Sequence, residues 1–374
     1  MPGILWAVVL VSLAWVGFAY AGYPLLLQLL RRLSPRPVAR RAIAPPLSIL
    51  ITVYNGEREI ERKLERTLAL DYPGEREVIV ASDGSSDATD EIALSFKERG
   101  VRLVRNPERG GKESAQARAI PEARGEILVF TDTSAELAPD ALREIVQPFA
   151  DPSVGCVSSE DVVDPQQGEG AYVRFEMALR RLESEAATLV GLSGSFFAAR
   201  RELCDPWPAD LASDFRMGIE AARRGLRSVA EPRARARIPV TRQRGAEWPR
   251  KVRTFRRGIA VLAAYRGLLH PRHGRAALAL LGHKAARFSS PFALAASLAA
   301  SALLAPESPA AAGLLAAQLA AGALGSAALL WPALGRIRAL RLLGFFLLVN
   351  AAVLRAWIHH ARGERAVLWE PTRR

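Results

Sequence analysis

Asp83, Asp132 and Asp214 lie far apart along the chain, yet each stands where an apolar run gives way to a turn or a helix opens. In Ala81-Ser82-Asp83-Gly84-Ser85-Ser86-Asp87-Ala88-Thr89 a carboxylate at a strand tip precedes a tight turn. A carboxylate in that position can accept the imide N–H of a pyrimidine or a ribose hydroxyl. Gly84 permits a backbone that other residues would find strained, and Asp87 is placed to cap the next helix. A plain turn with a helix cap is the competing reading. Arg109-Gly110-Gly111-Lys112-Glu113-Ser114 sets a glycine pair before a helix, which lets backbone N–H groups approach a phosphate, with Lys112 as a point charge. Its spacing is not that of a Walker loop.

A further strand ends in Phe130-Thr131-Asp132-Thr133-Ser134. A carboxylate here could hold Mg2+ or Mn2+, hard cations that bridge substrate phosphates with few protein ligands and neutralise a departing diphosphate. The alternative is helix capping, by Ser134 or Asp140, ahead of an Ala138–Phe149 helix. Ser213-Asp214-Phe215 opens a helical stretch that ends near Arg224-Gly225. Asp214 could be a general base toward an acceptor hydroxyl, or an N-cap.

The elements that must carry these groups follow from periodicity. Leu47–Val53, Glu77–Ala81, Val101–Val104 and Glu126–Thr131 are short β-branched runs expected to be strands. Glu57–Leu70, Asp87–Gly100 and Lys112–Ala123 between them have helical spacing. Apolar strands alternating with helices predict a mostly parallel sheet covered on both faces, with ligands beyond the carboxyl ends of its strands. The fold class is therefore α/β.

Composition adds a second part. The chain has 374 residues, 51 Lys+Arg against 38 Asp+Glu, and a formal charge of +13. Half of it is hydrophobic, which excludes disorder, and two cysteines exclude a disulfide framework. The charges avoid the first thirty residues and most of the stretch beyond Phe288. Ile4 to Leu30 can cross a roughly 30 Å hydrocarbon core at about 1.5 Å per residue. Arg31, Arg32, Arg36, Arg40 and Arg41 follow at once, which places the next segment in the cytoplasm. A cleaved signal peptide ending near Ala19-Tyr20-Ala21 is opposed by the lack of a basic start and by the continuing apolar run.

Pro291–Ala305, Ala310–Pro332 and Leu342–Ile358 are further apolar segments, broken by Pro306-Glu307-Ser308-Pro309 and by Arg336, Arg338 and Arg341. Counting crossings sends the tail outside, whereas basic Arg362–Arg374 favours the inside. Either Leu342–Ile358 or Arg275–Phe288 is then expected to be interfacial or re-entrant. The domain expectation is a transmembrane helix over 1–31, a cytoplasmic catalytic domain over 45–265, and interfacial and transmembrane helices with a basic tail over 266–374. The expected location is the plasma membrane. Basic clusters at Arg233–Arg237 and Arg250–Arg257 could track phosphates. They lack interleaved aromatics, so nucleic acid is not the expected partner. The basic amphipathic stretch from Trp248 to Gly258 fits a membrane surface better.

Taken in order, these motifs resemble the membrane-integrated family 2 glycosyltransferases, which include the cellulose, chitin, hyaluronan and poly-N-acetylglucosamine synthases. The resemblance runs from about Leu47 to Gly258, more loosely to the C-terminus. It rests on Tyr54-Asn55-Gly56-Glu57, Asp83-Gly84-Ser85, Gly111-Lys112, Phe130-Thr131-Asp132 and Ser213-Asp214. Gly191-Leu192-Ser193-Gly194-Ser195-Phe196-Phe197-Ala198-Ala199-Arg200 and the closing Trp369-Glu370-Pro371 are also similar. The resemblance implies a GT-A fold and a nucleotide-diphosphate sugar donor, with a UDP-sugar favoured. Asp83 would recognise the base, Tyr54 and Glu57 would line its pocket, and Lys112 would lie near the nucleotide. Asp132 would hold Mg2+ or Mn2+, Asp214 would be the base for inverting transfer, and Gly194 and Ser195 would lie on the acceptor side.

Three departures stand out. Ser134 replaces a second metal-motif acid or amide, the acidic pair before the last helix is reduced to Ser213-Asp214, and no Gln-x-x-Arg-Trp motif is recognisable, although Gln243 and Trp248 are present. Transfer of one or a few sugars to a lipid or envelope glycan is therefore at least as well supported as polymer extrusion. A degenerate, non-catalytic relative that binds nucleotide or partners in an envelope-assembly complex is the alternative of a different class. A transporter is disfavoured, since no intramembrane carboxylate stands out in Pro291–Ile358.

Overall fold

The structure, a computed structural model, describes residues 2–162, 170–238, 247–364 and Leu368. Gln243 and Trp369-Glu370-Pro371, named in the sequence reading, lie outside the described residues. Chain contacts separate two units, one from 27–242 with 264–279 and 366–374, the other from 1–26, 243–263 and 280–365.

The first unit is built on a sheet. Its strands are β1 (Leu47–Val53), β2 (Arg76–Ser82), β3 (Val101–Arg105), β4 (Ile127–Asp132), β5 (Glu136–Leu137), β6 (Val154–Val162), β7 (Phe196–Arg200) and β8 (Arg227–Arg237). They form one eight-stranded sheet in the order β3-β2-β1-β4-β7-β6-β8-β5. β1 pairs in parallel with β2 and β4, and β2 with β3, as the alternation of strand and helix requires. β7 runs antiparallel to both β4 and β6, while β6 and β8 are parallel. All seven residues of β1 are buried. Ile49, Ile51 and Val53 face Ile60 and Leu64 on one side, whereas Leu50 packs with Ile79, Ala115 and Leu128 on the other. A strand buried on both faces cannot alternate polar and apolar residues, which explains the unbroken run in the sequence.

Sequence and structure differ in the second half of this sheet. Arg233–Arg237, considered as a phosphate track, is the end of β8, with Ala234 and Ala236 buried and Arg233, Arg235 and Arg237 exposed. Period-two alternation of Ala and Arg is a half-buried strand, and Arg233 is engaged by Glu231 and Glu144. The expected Ala138–Phe149 helix is shorter, Ala141–Val146 with a 3-10 turn over Gln147–Ala150.

In the second unit and the residues adjoining it, Pro2–Leu33, Arg275–Leu304, Pro309–Leu330 and Arg338–Ala361 are long and apolar enough to cross a membrane. Arg275–Phe288 is the first part of one continuous helical run to Leu304, with a π turn at Leu280–Ala285. Arg287, His283 and Lys284 had interrupted its apolar pattern. Val9, Ala300, Leu304 and Ala311 form a small buried cluster. A Cβ on Gly344 would lie 3.0 Å from the Gly325 carbonyl oxygen, a close backbone approach that small residues allow between packed helices. The basic stretch over Trp248–Gly258 lies in the Glu247–Ala264 helix. Its Phe255 meets Phe288 edge-on and Lys251 sits over the Phe345 ring at 4.6 Å, so this face is packed as well as charged.

Candidate active site

Sheet register brings the motif residues together. Val53 pairs with Ser82 and Thr52 with Asp132, so Tyr54, Asp83 and Asp132 emerge side by side from the carboxyl ends of β1, β2 and β4. The antiparallel pairing of Thr131 with Phe196 brings the start of β7 to the same edge, where the Asp132 N–H donates to the Ser195 carbonyl at 3.1 Å.

Asp83 is fully buried. Its Oδ1 accepts from Asn106 Nδ2 at 3.0 Å and Gly110 N–H at 2.8 Å, and its Oδ2 accepts from Gly111 N–H at 2.8 Å. The carboxylate therefore holds the glycine pair in a fixed turn directly before Lys112. Gly84 has φ +67°, and a Cβ there would stand 2.9 Å from the Glu108 carbonyl carbon, so this turn needs glycine both for its conformation and for its clearance.

The β1 tip is tied to the β2 tip. Asn55 adopts φ +47°, the left-handed region that Asn tolerates better than most residues, and its Oδ1 accepts the Ser86 N–H at 2.9 Å. Glu57 N–H donates to Asp87 at 3.2 Å while Glu57 Oε2 accepts from Ala88 N–H at 3.3 Å. The Arg109 guanidinium lies 4.1 Å over the Tyr54 ring, forming a flat cationic and aromatic wall.

The Lys112 ammonium is the hub. It donates to Asp132 Oδ1 at 2.6 Å and to the Gly194 carbonyl at 2.8 Å. Burial works against its charge, yet Asp132 chiefly, with Glu113 and Asp214, outweighs that effect, and its pKa is raised. A Cβ on Gly194 would come within 2.9 Å of Asp214 Oδ2, so that carboxylate abuts the Gly194 backbone. Asp214 Oδ1 accepts the Phe215 N–H at 2.9 Å, which fixes the group with its other oxygen turned toward Gly194. Neither capping alternative is realised in its simple form. The N-cap of the Ser213–Arg223 helix is Ala212, and Asp140 makes no side-chain cap bond.

Asp132 is also braced from behind. Lys63 donates to Thr131 Oγ1 at 2.9 Å and to the Ala135 carbonyl at 2.6 Å, on either side of Asp132 in the chain. Burial pushes the Lys63 pKa down to about 7, with Asp132 and Glu136 opposing. Among the described residues no group of three or more His, Cys, Asp or Glu side chains could hold a metal unaided. Asp132, partly exposed and already 2.6 Å from an ammonium, fits a cation held jointly with substrate phosphates, the usual arrangement for Mg2+ and Mn2+.

Lys63 and two carboxylates escaped the sequence reading. Asp161, at the end of β6, accepts from Ser193 Oγ at 2.6 Å and Ser195 Oγ at 3.0 Å, adding a carboxylate beside the Gly194 turn. Glu113 is buried and accepts from Ser213 N–H at 3.2 Å and Ser213 Oγ at 3.3 Å. Both contacts span tens of residues, and no local spacing signals them.

The likeness to known proteins follows the same residues. The family described as glycosyl transferase family 2 matches residues 48–206. A poly-β-1,6-N-acetyl-D-glucosamine synthase of Staphylococcus epidermidis is 26% identical over 228 residues, 58% of this chain and 55% of that one. An uncharacterised Mycobacterium tuberculosis protein is 34% identical over 137 residues, 35% of this chain and 43% of that one. The chain thus spans about half the length of the curated relatives it matches. A mannosyltransferase of Pyrobaculum calidifontis, solved in complex with GDP-Man and Mn2+, superposes with a TM-score of 0.73 at 26% identity, covering 96% of this chain and all of that one. Its strand-tip carboxylates thus gather on a mostly parallel sheet with the GT-A fold of the Pyrobaculum enzyme, and residues 48–206 of the chain match glycosyl transferase family 2.

Proposed function

We propose that the protein is a multi-pass plasma-membrane enzyme whose cytoplasmic domain transfers a sugar, with inversion, from a nucleotide-diphosphate sugar to a hydroxyl of a lipid or envelope glycan. The observation that carries this reading is the chain of contacts from Asp132 through Lys112 to Gly194 and Asp214. In this reading Gly194 lies between a cation-binding Asp132, reached through Lys112, and Asp214 as the base. Inverting displacement needs that separation of base and leaving group.

Asp132 would hold Mg2+ or Mn2+ together with the donor diphosphate, and the cation would supply positive charge at the departing phosphate oxygens. Lys112, kept protonated, adds a second positive charge there. Asp83, which takes both glycine N–H groups, fixes the Gly110-Gly111 turn and with Tyr54, Arg109 and Glu57 would shape the base pocket. As the acceptor oxygen bonds to the anomeric carbon, the carbon–phosphate oxygen bond breaks. The nucleoside diphosphate leaves with that electron pair, and the acceptor proton passes to Asp214. Gly194, Ser195 and Asp161 line the acceptor side.

Membranes containing the protein, supplied with a panel of radiolabelled UDP- and GDP-sugars and Mg2+ or Mn2+, test the reading. One donor is expected to label a lipid or glycan fraction, and no labelling from any donor would favour a binding-only protein. GDP-sugars stand beside UDP-sugars in the panel because of the GDP-Man complex of the Pyrobaculum enzyme. Gly194→Ala is a sharper probe of the base. The added methyl must displace Asp214 Oδ2, and a misplacement of under an ångström is expected to lower turnover about 10- to 100-fold. Nucleotide affinity should change by less than about twofold, since the methyl points at the base. Unchanged turnover would remove Asp214 from the chemistry.

A further inference from the structure

We propose that Glu113 is the positioning residue for Asp214, an inference that rests on the base assignment above. Glu113 is 2% exposed. A carboxylate so deeply buried is costly unless it is hydrogen-bonded. Its Oε1 accepts from both the backbone N–H and the hydroxyl of Ser213, the first residue of the Ser213–Arg223 helix. Asp214 is the next residue, so Glu113 holds the helix end from which the base projects.

Three features make this more than packing. A negative charge at the N-terminus of an eleven-residue helix is electrostatically favoured, so the grip is charge-assisted. Glu113 also adjoins Lys112, whose ammonium touches Asp132 and the Gly194 carbonyl. One short stretch of the Lys112–Ala119 helix therefore sets both the cation side and the base side of the site. Finally, Leu192 N–H donates to the Asp214 carbonyl at 3.0 Å, so a shift of the helix start would also move the turn that carries Gly194. Small displacements of a base are costly, because proton transfer requires hydrogen-bond reach.

The test uses the full-length protein in membranes or detergent, with turnover measured on the donor that the panel identifies and binding measured with UDP or GDP plus Mn2+. Glu113→Ala is expected to lower kcat about 30-fold or more, with donor KM and nucleotide affinity within about twofold of the unaltered protein. Glu113→Gln, which keeps an acceptor oxygen, should lose less, about three- to tenfold. Ser213→Ala, which removes the hydroxyl but leaves the backbone N–H that Glu113 also accepts, should likewise lose about three- to tenfold in kcat alone. Full activity in Glu113→Ala, or a parallel loss of nucleotide binding, would each overturn the proposal. An inactive Asp214→Asn beside a fully active Glu113→Ala would defeat this inference alone, while a fully active Asp214→Asn would defeat the base assignment beneath it.

Discussion

Asp214→Asn is expected to lower turnover about a thousandfold while nucleotide binding and thermal stability stay close to those of the unaltered protein. The substitution keeps size and shape. An amide oxygen can still accept the Phe215 N–H that Oδ1 accepts at 2.9 Å, so the helix start has no reason to move. What disappears is the second oxygen, the one lying against the Gly194 backbone, which becomes an NH2 group unable to take a proton. Lys112 loses one of three favourable carboxylate charges but keeps its direct bond to Asp132, so the cation side should hold. The measurement is kcat on the labelled donor together with affinity for UDP or GDP plus Mn2+. Turnover at the wild-type level would end the assignment, and a joint loss of turnover and nucleotide affinity would reassign Asp214 to donor binding.

β1, β2 and β4 were legible because burial on both faces leaves a mark that needs no context. Seven successive apolar or small residues in Leu47–Val53 have no amphipathic helical reading, and the observed strand has those same ends. The strand tips were legible for a related reason, since Asp83-Gly84 and Asp132-Thr133 interrupt such runs abruptly. β6 and β8 carry a weaker mark. In β8 the buried partners of exposed arginines are alanines, so the strand resembled a basic surface cluster until its register with β6 was known. The long apolar helix beginning at Arg275 was hidden in the same way, because Arg275, His283, Lys284 and Arg287 break its hydropathy where the chain itself remains helical. Within the site, sequence supplied the residues that end strands or open helices. It could not supply Glu113, Lys63 or Asp161, whose partners lie elsewhere in the chain. Asp83 illustrates a subtler gap. Its position at a strand tip was visible, but not that both oxygens are occupied by the Gly110–Gly111 turn.

Asp132→Ala should have the largest effect of all, and it separates two roles of one carboxylate. In donor binding, loss of the one acidic side chain in the Phe130–Ser134 motif is expected to abolish the gain in UDP or GDP affinity on adding Mn2+, and with it at least about a thousandfold in turnover. In stability, the same change leaves the buried Lys112 ammonium with the Gly194 carbonyl as its direct partner and Glu113 and Asp214 as more distant charges. Breaking a largely buried ion pair from one end is expected to cost about 2 kcal/mol here, below the value for a fully enclosed pair because Asp132 is 20% exposed. Adding Lys112→Met removes the stranded charge, so the double variant should recover most of that stability in a thermal unfolding measurement while remaining inactive. Stability tracks the pairing of the two charges, whereas turnover requires the carboxylate itself. If the double variant regained turnover along with its stability, Asp132 would be a counter-ion for Lys112 and nothing more, and the cation site would have to be sought elsewhere.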